Sequence, residues 1–267
     1  MDPGRKTADT PTTRTAVPQA STGQDRRAQR RERLLATATE LFTTRGYPAT
    51  SIERICATAR VSIRAFYEEF DGREALLIAL HNDVARAGME AALTVLSDPA
   101  LESAGARARI GALAHAYVEA VTVDPAGTRL AFVEVIGAGR AVEEHRLLWR
   151  SLWSDFLAGE AERAVARGEA APRDHTLAMV GLIGATNELV AHWSRNSTSF
   201  SRQALADEVI HHILAVFGVA PEDSGAPAGK ASAAGRTDGA DGVDGADGVD
   251  EADGADEADE ADGDEGE

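Results

Sequence analysis

The chain has 267 residues, 43% of them hydrophobic, which is enough apolar mass for one or two packed domains. Its formal net charge of −17 argues against a uniformly basic nucleic-acid binder, yet 17 acidic and only 2 basic residues fall between positions 218 and 267, so most of the excess belongs to one end. The single cysteine, Cys56, excludes an intramolecular disulfide and leads us to expect a reducing, cytoplasmic setting; no apolar run has the length to span a bilayer.

Residues 1–24 are rich in Thr, Pro and Ala without periodicity and are expected to be a disordered extension. Arg5 and Lys6 are followed by Pro and Thr and not by an apolar run, so no secretory signal is expected. From residue 25 the composition turns basic, with five arginines between Arg26 and Arg33. Leu35, Ala38, Leu41 and Phe42 recur at helical spacing and Gly46 supplies a stop, which predicts a first helix over about 26–45. The arginines, Arg33 among them, sit at the start of that helix, where the macrodipole does not favour cations. Phosphate contact accounts for them better than helix stability; a solvated basic face is the plain alternative.

The stretch from Thr50 to Glu74 reads as two short helices, a tight turn and the start of another helix. Thr50 with Glu53, and Asp71 with Glu74, have capping-box spacing, and Ser62 is placed to cap the helix between them. Ile52, Ile55, Cys56 and Ala59 share one helical face, and Phe66 and Phe70 another. Two short helices joined by a three- or four-residue turn form a helix-turn-helix, whose second helix is short enough to enter a DNA major groove.

A fourth helix is predicted from Asp71, carrying Leu76, Leu77, Leu80, Val84 and Leu93 until Asp98 and Pro99 break it. Further helices are predicted over 104–121, 128–136, 140–166, 174–195 and 201–217, with Asp124-Pro125, Gly137, Gly168 and the NSTS stretch between them. The expected fold is all-α. It comprises an N-terminal helix-turn-helix domain over 25–72, a helical domain over 73–217 and a disordered acidic tail over 218–267. A solvating role is the plain reading of that tail; competition with DNA for the basic surface is the sharper one.

In the second domain Trp149, Trp153 and Phe156 recur at helical spacing, and His115, Tyr117, Phe132, Asn187, His192 and Trp193 add polar and aromatic groups. An apolar pocket with a few placed polar groups suits a small molecule, so His115, Phe132, Trp149, Trp153 and Asn187 are the candidate ligand-binding residues, with ordinary core packing as the alternative for each. Gly181, Gly184 and Ala185, with Val209, Ile210, Ile213 and Leu214 in the last helix, suit close helix packing. His211 and His212 lack the i, i+4 spacing of a metal pair, and no phosphate loop or nucleophile with an identifiable base is found, so no metal, cofactor or catalytic site is expected.

The run RRERLLATATELFTTRGYPATSIERICATARVSIRAFYEEFDGREALL resembles the DNA-binding domain of TetR-family transcriptional regulators. The matching positions include Ala38, Leu41-Phe42, Gly46-Tyr47, Thr50, Ile55, Ala59, Val61-Ser62, Tyr67 and Phe70. The resemblance implies a ligand-responsive homodimeric repressor, with the last two helices of each subunit in a four-helix bundle and a recognition helix of each subunit in the major groove of a palindromic operator on double-stranded DNA. Its effector is an unidentified small molecule. The DNA-binding set it implies is Arg33, Thr50, Ser51, Ser62, Ile63, Arg64, Ala65, Tyr67 and Arg73. Within that set Arg64 reads a base edge, and Tyr67, Thr50, Ser51 and Arg73 meet phosphates. The chain departs from the family pattern at Arg60, where glycine is usual at the turn, and at Arg64, where a small residue is common. Two other readings stay open: an all-α small-molecule binding protein or enzyme with a vestigial helix-turn-helix, and a non-specific architectural DNA-binding protein.

Overall fold

In the computed structural model, residues 23–220 are described; the expected N-terminal extension, except its last two residues, and almost all of the acidic tail lie outside them. The described residues are helical throughout, with no strand. The helix α1 (Gly23–Arg45) buries Leu34, Ala38, Leu41 and Phe42 and ends at Gly46, whose φ of 85° a side chain would strain. The pair α2 (Ile52–Ala59) and α3 (Ile63–Tyr67) follows. Ile55, Cys56, Ala59, Phe66 and Phe70 close a small core against α1.

The capping at α2 differs from expectation. Ser51, not Thr50, is its N-cap: the Arg54 amide donates to Ser51 Oγ at 3.3 Å. Thr50 is buried, and its hydroxyl donates to the Gly46 carbonyl at 3.0 Å, with the Leu41 carbonyl at 3.3 Å. A hydroxyl excluded from water needs a partner, and the two carbonyls near the end of α1 supply one. Ser62 caps α3 as expected, accepting from the Ala65 amide at 3.2 Å. Asp71 does not cap α4 (Arg73–Leu96); Gly72 stands at that position without a side-chain bond.

Beyond α4, the short α5 (Pro99–Glu102) and then α6 (Ala106–Thr122) lead to a segment read from the sequence as a boundary. Asp124 instead starts α7 (Pro125–Arg129): its carboxylate accepts from the Ala126 and Gly127 amides, and Pro125 takes the first helical position, where a missing N–H costs nothing. The chain then passes into one π-helical turn, Leu130–Glu134, before α8 (Arg140–Ala166), α9 (Thr176–Arg195) and α10 (Arg202–Phe217). One apolar core gathers residues of α4, α6, α8, α9 and α10. The core of the helix-turn-helix continues past residue 72, taking in Leu76, Leu77 and Leu80 of α4 together with Leu130, Val135 and Val142.

Where α4 crosses α6, Gly88 is buried, and a Cβ there would stand 2.8 Å from Val121 Cγ1 and 3.0 Å from the Tyr117 ring. Buried Arg109 pairs with Glu160 at 2.7 Å and also donates to the Leu101 carbonyl, joining α6 to α8.

Arg60 closes α2 in a left-handed conformation, φ 55° and ψ 46°, and is the one non-glycine residue with positive φ among the described residues. The Arg60 and Val61 amides donate back to the Ala57 and Cys56 carbonyls, a geometry that glycine adopts without strain. Arg60→Gly is expected to raise the unfolding free energy by about 1 kcal/mol, since removing the Cβ clash outweighs the added freedom of the unfolded chain. Urea denaturation checks this, and a loss of stability would show that the turn is not strained.

Candidate nucleic-acid interface and effector cavity

The candidate recognition element is α3, anchored from below by Phe66 and Phe70, whose rings lie 5.8 Å apart in the core. With that face buried, Ile63 (47% exposed), Arg64 and Tyr67 (54% exposed) are left on the other. The Arg64 side chain is almost wholly in solvent, 3.5 Å from Glu68 one turn along the helix. Ser51, Ser62 and Arg33 are also exposed, and Ala65 is half-buried. A short, capped helix thus offers a cation, a phenol and an apolar side chain together, a set able to reach base edges and phosphates.

Two residues of the sequence-derived set sit elsewhere. Thr50 is wholly buried beneath α2 and has no surface to offer a phosphate. The guanidinium of Arg73 stacks 4.3 Å from the Tyr47 ring centre, and its Nη1 donates to the Thr50 carbonyl at 2.7 Å and the Tyr47 carbonyl at 3.2 Å. Arg73 therefore holds the turn ahead of α2.

The arginine cluster divides in the same way. Arg27 and Arg30 both donate to the Glu69 carboxylate just after α3, at 3.1 and 2.6 Å, and that side chain is almost fully buried. The two arginines hold the Glu69 carboxyl below the usual carboxylate range against the opposing effect of burial. Arg31 lies 4.5 Å over the Phe70 ring. These three arginines fasten α1 to the end of α3, whereas Arg26 and Arg33 face solvent.

A second site lies between α4, α6, α8, α9 and the π-helical turn. A cavity of about 50 Å³ there is lined by Phe132, Trp149, Trp153 and Asn187, so four of the five candidate ligand residues converge on one space. His115, the fifth, is exposed on the outer face of α6 and does not line it. An adjoining cavity of about 40 Å³ shares Tyr117, Trp153, Ile183 and Asn187 and continues between Leu113, Leu157, Val209 and Ile213. The sequence reading missed His81, Arg146 and Arg150 on the wall of the first cavity. A signal for the arginines existed: Arg146, Trp149, Arg150 and Trp153 stand at i, i+3, i+4 and i+7, one face of α8.

His81 is buried, its ring 5.2 Å from that of His145 in an edge-on contact. Burial, then the positive charge of neighbouring His145 and Arg146, lowers its pKa to about 4, so it is neutral near pH 7. The unfolded chain takes up a proton near pH 6.5 that the folded chain refuses until about pH 4. Stability present above pH 6.5 is therefore lost as the pH falls toward 4, by up to about 3 kcal/mol from this group. His81→Leu is expected to flatten the acid limb of the stability curve between those limits, as measured by urea denaturation at successive pH values; an unchanged limb would place the responsible proton elsewhere.

A capped helix-turn-helix is thus joined to a helical bundle that encloses a cavity. Residues 34–80 match the family described as bacterial regulatory proteins, tetR family. A stretch of 109 residues is 32% identical to the HTH-type transcriptional activator FasR of Mycolicibacterium smegmatis, covering 40% of this chain; the match spans about half, 47%, of that relative's length. The fold is similar to that of a TetR-family transcriptional regulator from Syntrophomonas wolfei (TM-score 0.60, 17% identity, 72% of this chain and 96% of that one). It is likewise similar to FadR of Bacillus subtilis in complex with stearoyl-CoA (TM-score 0.59, 18% identity, 71% and 99%). A third similar structure is AibR in complex with isovaleryl coenzyme A and operator DNA (TM-score 0.55, 21% identity, 71% and 99%).

Proposed function

We propose that the protein is a ligand-responsive transcriptional regulator that binds a palindromic operator as a two-fold homodimer, most simply as a repressor. The observation that carries this reading is α3: two buried phenylalanines fix it, a serine caps it, and Ile63, Arg64 and Tyr67 stand free on its outer face. The effector occupies the cavity beside α4, a binding role and not a catalytic one. The similarity to FadR and AibR, described with acyl-CoA ligands, supports an effector with an apolar acyl part. A second reading, activation, is favoured by the activator FasR among the relatives.

Genome-wide footprinting with purified protein tests the proposal. A palindromic motif with half-sites in successive major grooves, about 34–36 Å apart, is expected. Diffuse occupancy without a preferred sequence would favour the architectural reading. Arg64→Ala should cost about 1–3 kcal/mol at one position of each half-site and relax the preference there, as read by binding to a library of substituted operators. Equal weakening across all sequences would assign Arg64 to phosphate.

For the dimer, Val209, Ile213 and Leu214 of α10 face the chain's own core. Among the exposed apolar residues are Leu148 and Leu152 of α8 with Leu177 and Val180 of α9. Two such helix pairs make a four-helix bundle across a two-fold axis. Leu152→Glu combined with Val180→Glu should convert the dimer to monomer in sedimentation experiments and lower operator affinity at least tenfold; a persistent dimer would place the interface elsewhere.

A further inference from the structure

The cavity beside α4 has an uneven chemistry. On one side stand Arg146 and Arg150 of α8, the indole of Trp149 and the imidazole of His81, and no carboxylate lines the cavity. Trp149 Nε1, His81 Nδ1 and His145 Nε2 are buried without a hydrogen-bond partner. An indole N–H only donates, guanidinium groups only donate, and a buried donor left unmet costs about 1–3 kcal/mol. On the other side, past Trp153, the space runs on between Leu113, Leu157, Val209 and Ile213. A molecule that satisfies both halves carries acceptor oxygens at one end and an aliphatic chain at the other.

We propose that this cavity binds an aliphatic carboxylate, its oxygens accepting from Trp149 Nε1 and the Arg150 guanidinium beside His81, its chain passing Trp153 into the adjoining apolar space, and that His81 takes up a proton as the carboxylate enters. The proposal deepens the effector role put forward above and rests on it. The surroundings of His81 determine the proton balance. From α8 it meets His145 and Arg146, whose guanidinium pairs with Glu143; Arg150 of α8, Tyr117 of α6, Phe132 of the π-helical turn and Asn187 of α9 line the same cavity. Burial, reinforced by the neighbouring His145 and Arg146, keeps His81 neutral. A carboxylate at that position reverses the local charge and favours the imidazolium. The proton comes from solvent and resides on the His81 ring; no covalent bond to the ligand forms or breaks.

The test uses the full-length protein without DNA and three probes of equal chain length: hexanoate, hexan-1-ol and hexanoyl-CoA. Calorimetry in buffers of different ionisation enthalpy should show hexanoate binding with uptake approaching one proton, and an affinity that rises toward tenfold per pH unit between pH 7.5 and 6. In nitrogen-15 spectra the indole N–H signal removed by Trp149→Phe should move downfield when hexanoate is added to the wild-type protein. His81→Gln should abolish the pH dependence, which distinguishes a proton on the imidazole from one carried in on the carboxyl group. Hexanol binding as tightly as hexanoate, a pH slope that survives in His81→Gln, or an unmoved Trp149 signal would each overturn the proposal. Binding of hexanoyl-CoA without binding of hexanoate would overturn it too, while leaving the effector-responsive regulator intact. Because no operator is present, a failure to find specific DNA binding is read separately from any of these outcomes.

Discussion

Leu130 and Val135 leave the effector-side bundle and complete the core of the helix-turn-helix, and much else depends on that insertion. They flank the same π-helical turn whose Ala131 and Phe132 form part of the cavity wall. Glu134, in the same turn, pairs with Arg129 and lies 3.4 Å from the Tyr47 amide ahead of α2. A single turn of backbone thus belongs to two cores. A π-helical turn sacrifices regular hydrogen bonding and tends to mark functional positions, and here it joins the cavity wall to the helix-turn-helix core within one short piece of chain. Packed interiors do not deform smoothly, so a ligand that displaces Phe132 must also disturb the seat of Leu130.

The helix-turn-helix was legible in the sequence because its determinants are local. Ser62 caps α3, Phe66 and Phe70 recur one turn apart, and glycine stops α1. Each of these acts within four residues. The errors arose where a nearby residue could serve the same purpose: Ser51 took the capping role given to Thr50, which was needed inside to satisfy backbone carbonyls. Arg73 likewise carries a charge that suits phosphate, but its position over Tyr47 follows from a fold that brings residues 47 and 73 together, which no local pattern records.

The cavity was half legible for the same reason. Aromatic residues at helical spacing on α8 and Asn187 on α9 pointed to it, and Phe132, Trp149, Trp153 and Asn187 do meet. His81 was invisible because it lies in a helix read only for its leucines, and its environment is set by α8, more than sixty positions away. His115 failed in the opposite sense: it stands on the solvent face of α6. The last helix, read as part of a contact between subunits, packs one face against its own chain, since α6 and α10 share one core. Helical periodicity identifies a buried face but not the partner that buries it.

The close crossing at Gly88 has a mechanical meaning. With Val121 and Tyr117 closer than van der Waals contact to where a side chain would begin, α4 and α6 are at their nearest at this point, which makes Gly88 a natural pivot for α4. His81 lies seven residues along the helix from Gly88 and Arg73 fifteen, about 10 and 22 Å at the helical rise. A sideways push at His81 would therefore reach Arg73 roughly doubled. A glycine fulcrum and a stiff arm would turn a fraction of an ångström at the cavity into a larger displacement of the turn that Arg73 holds ahead of α2.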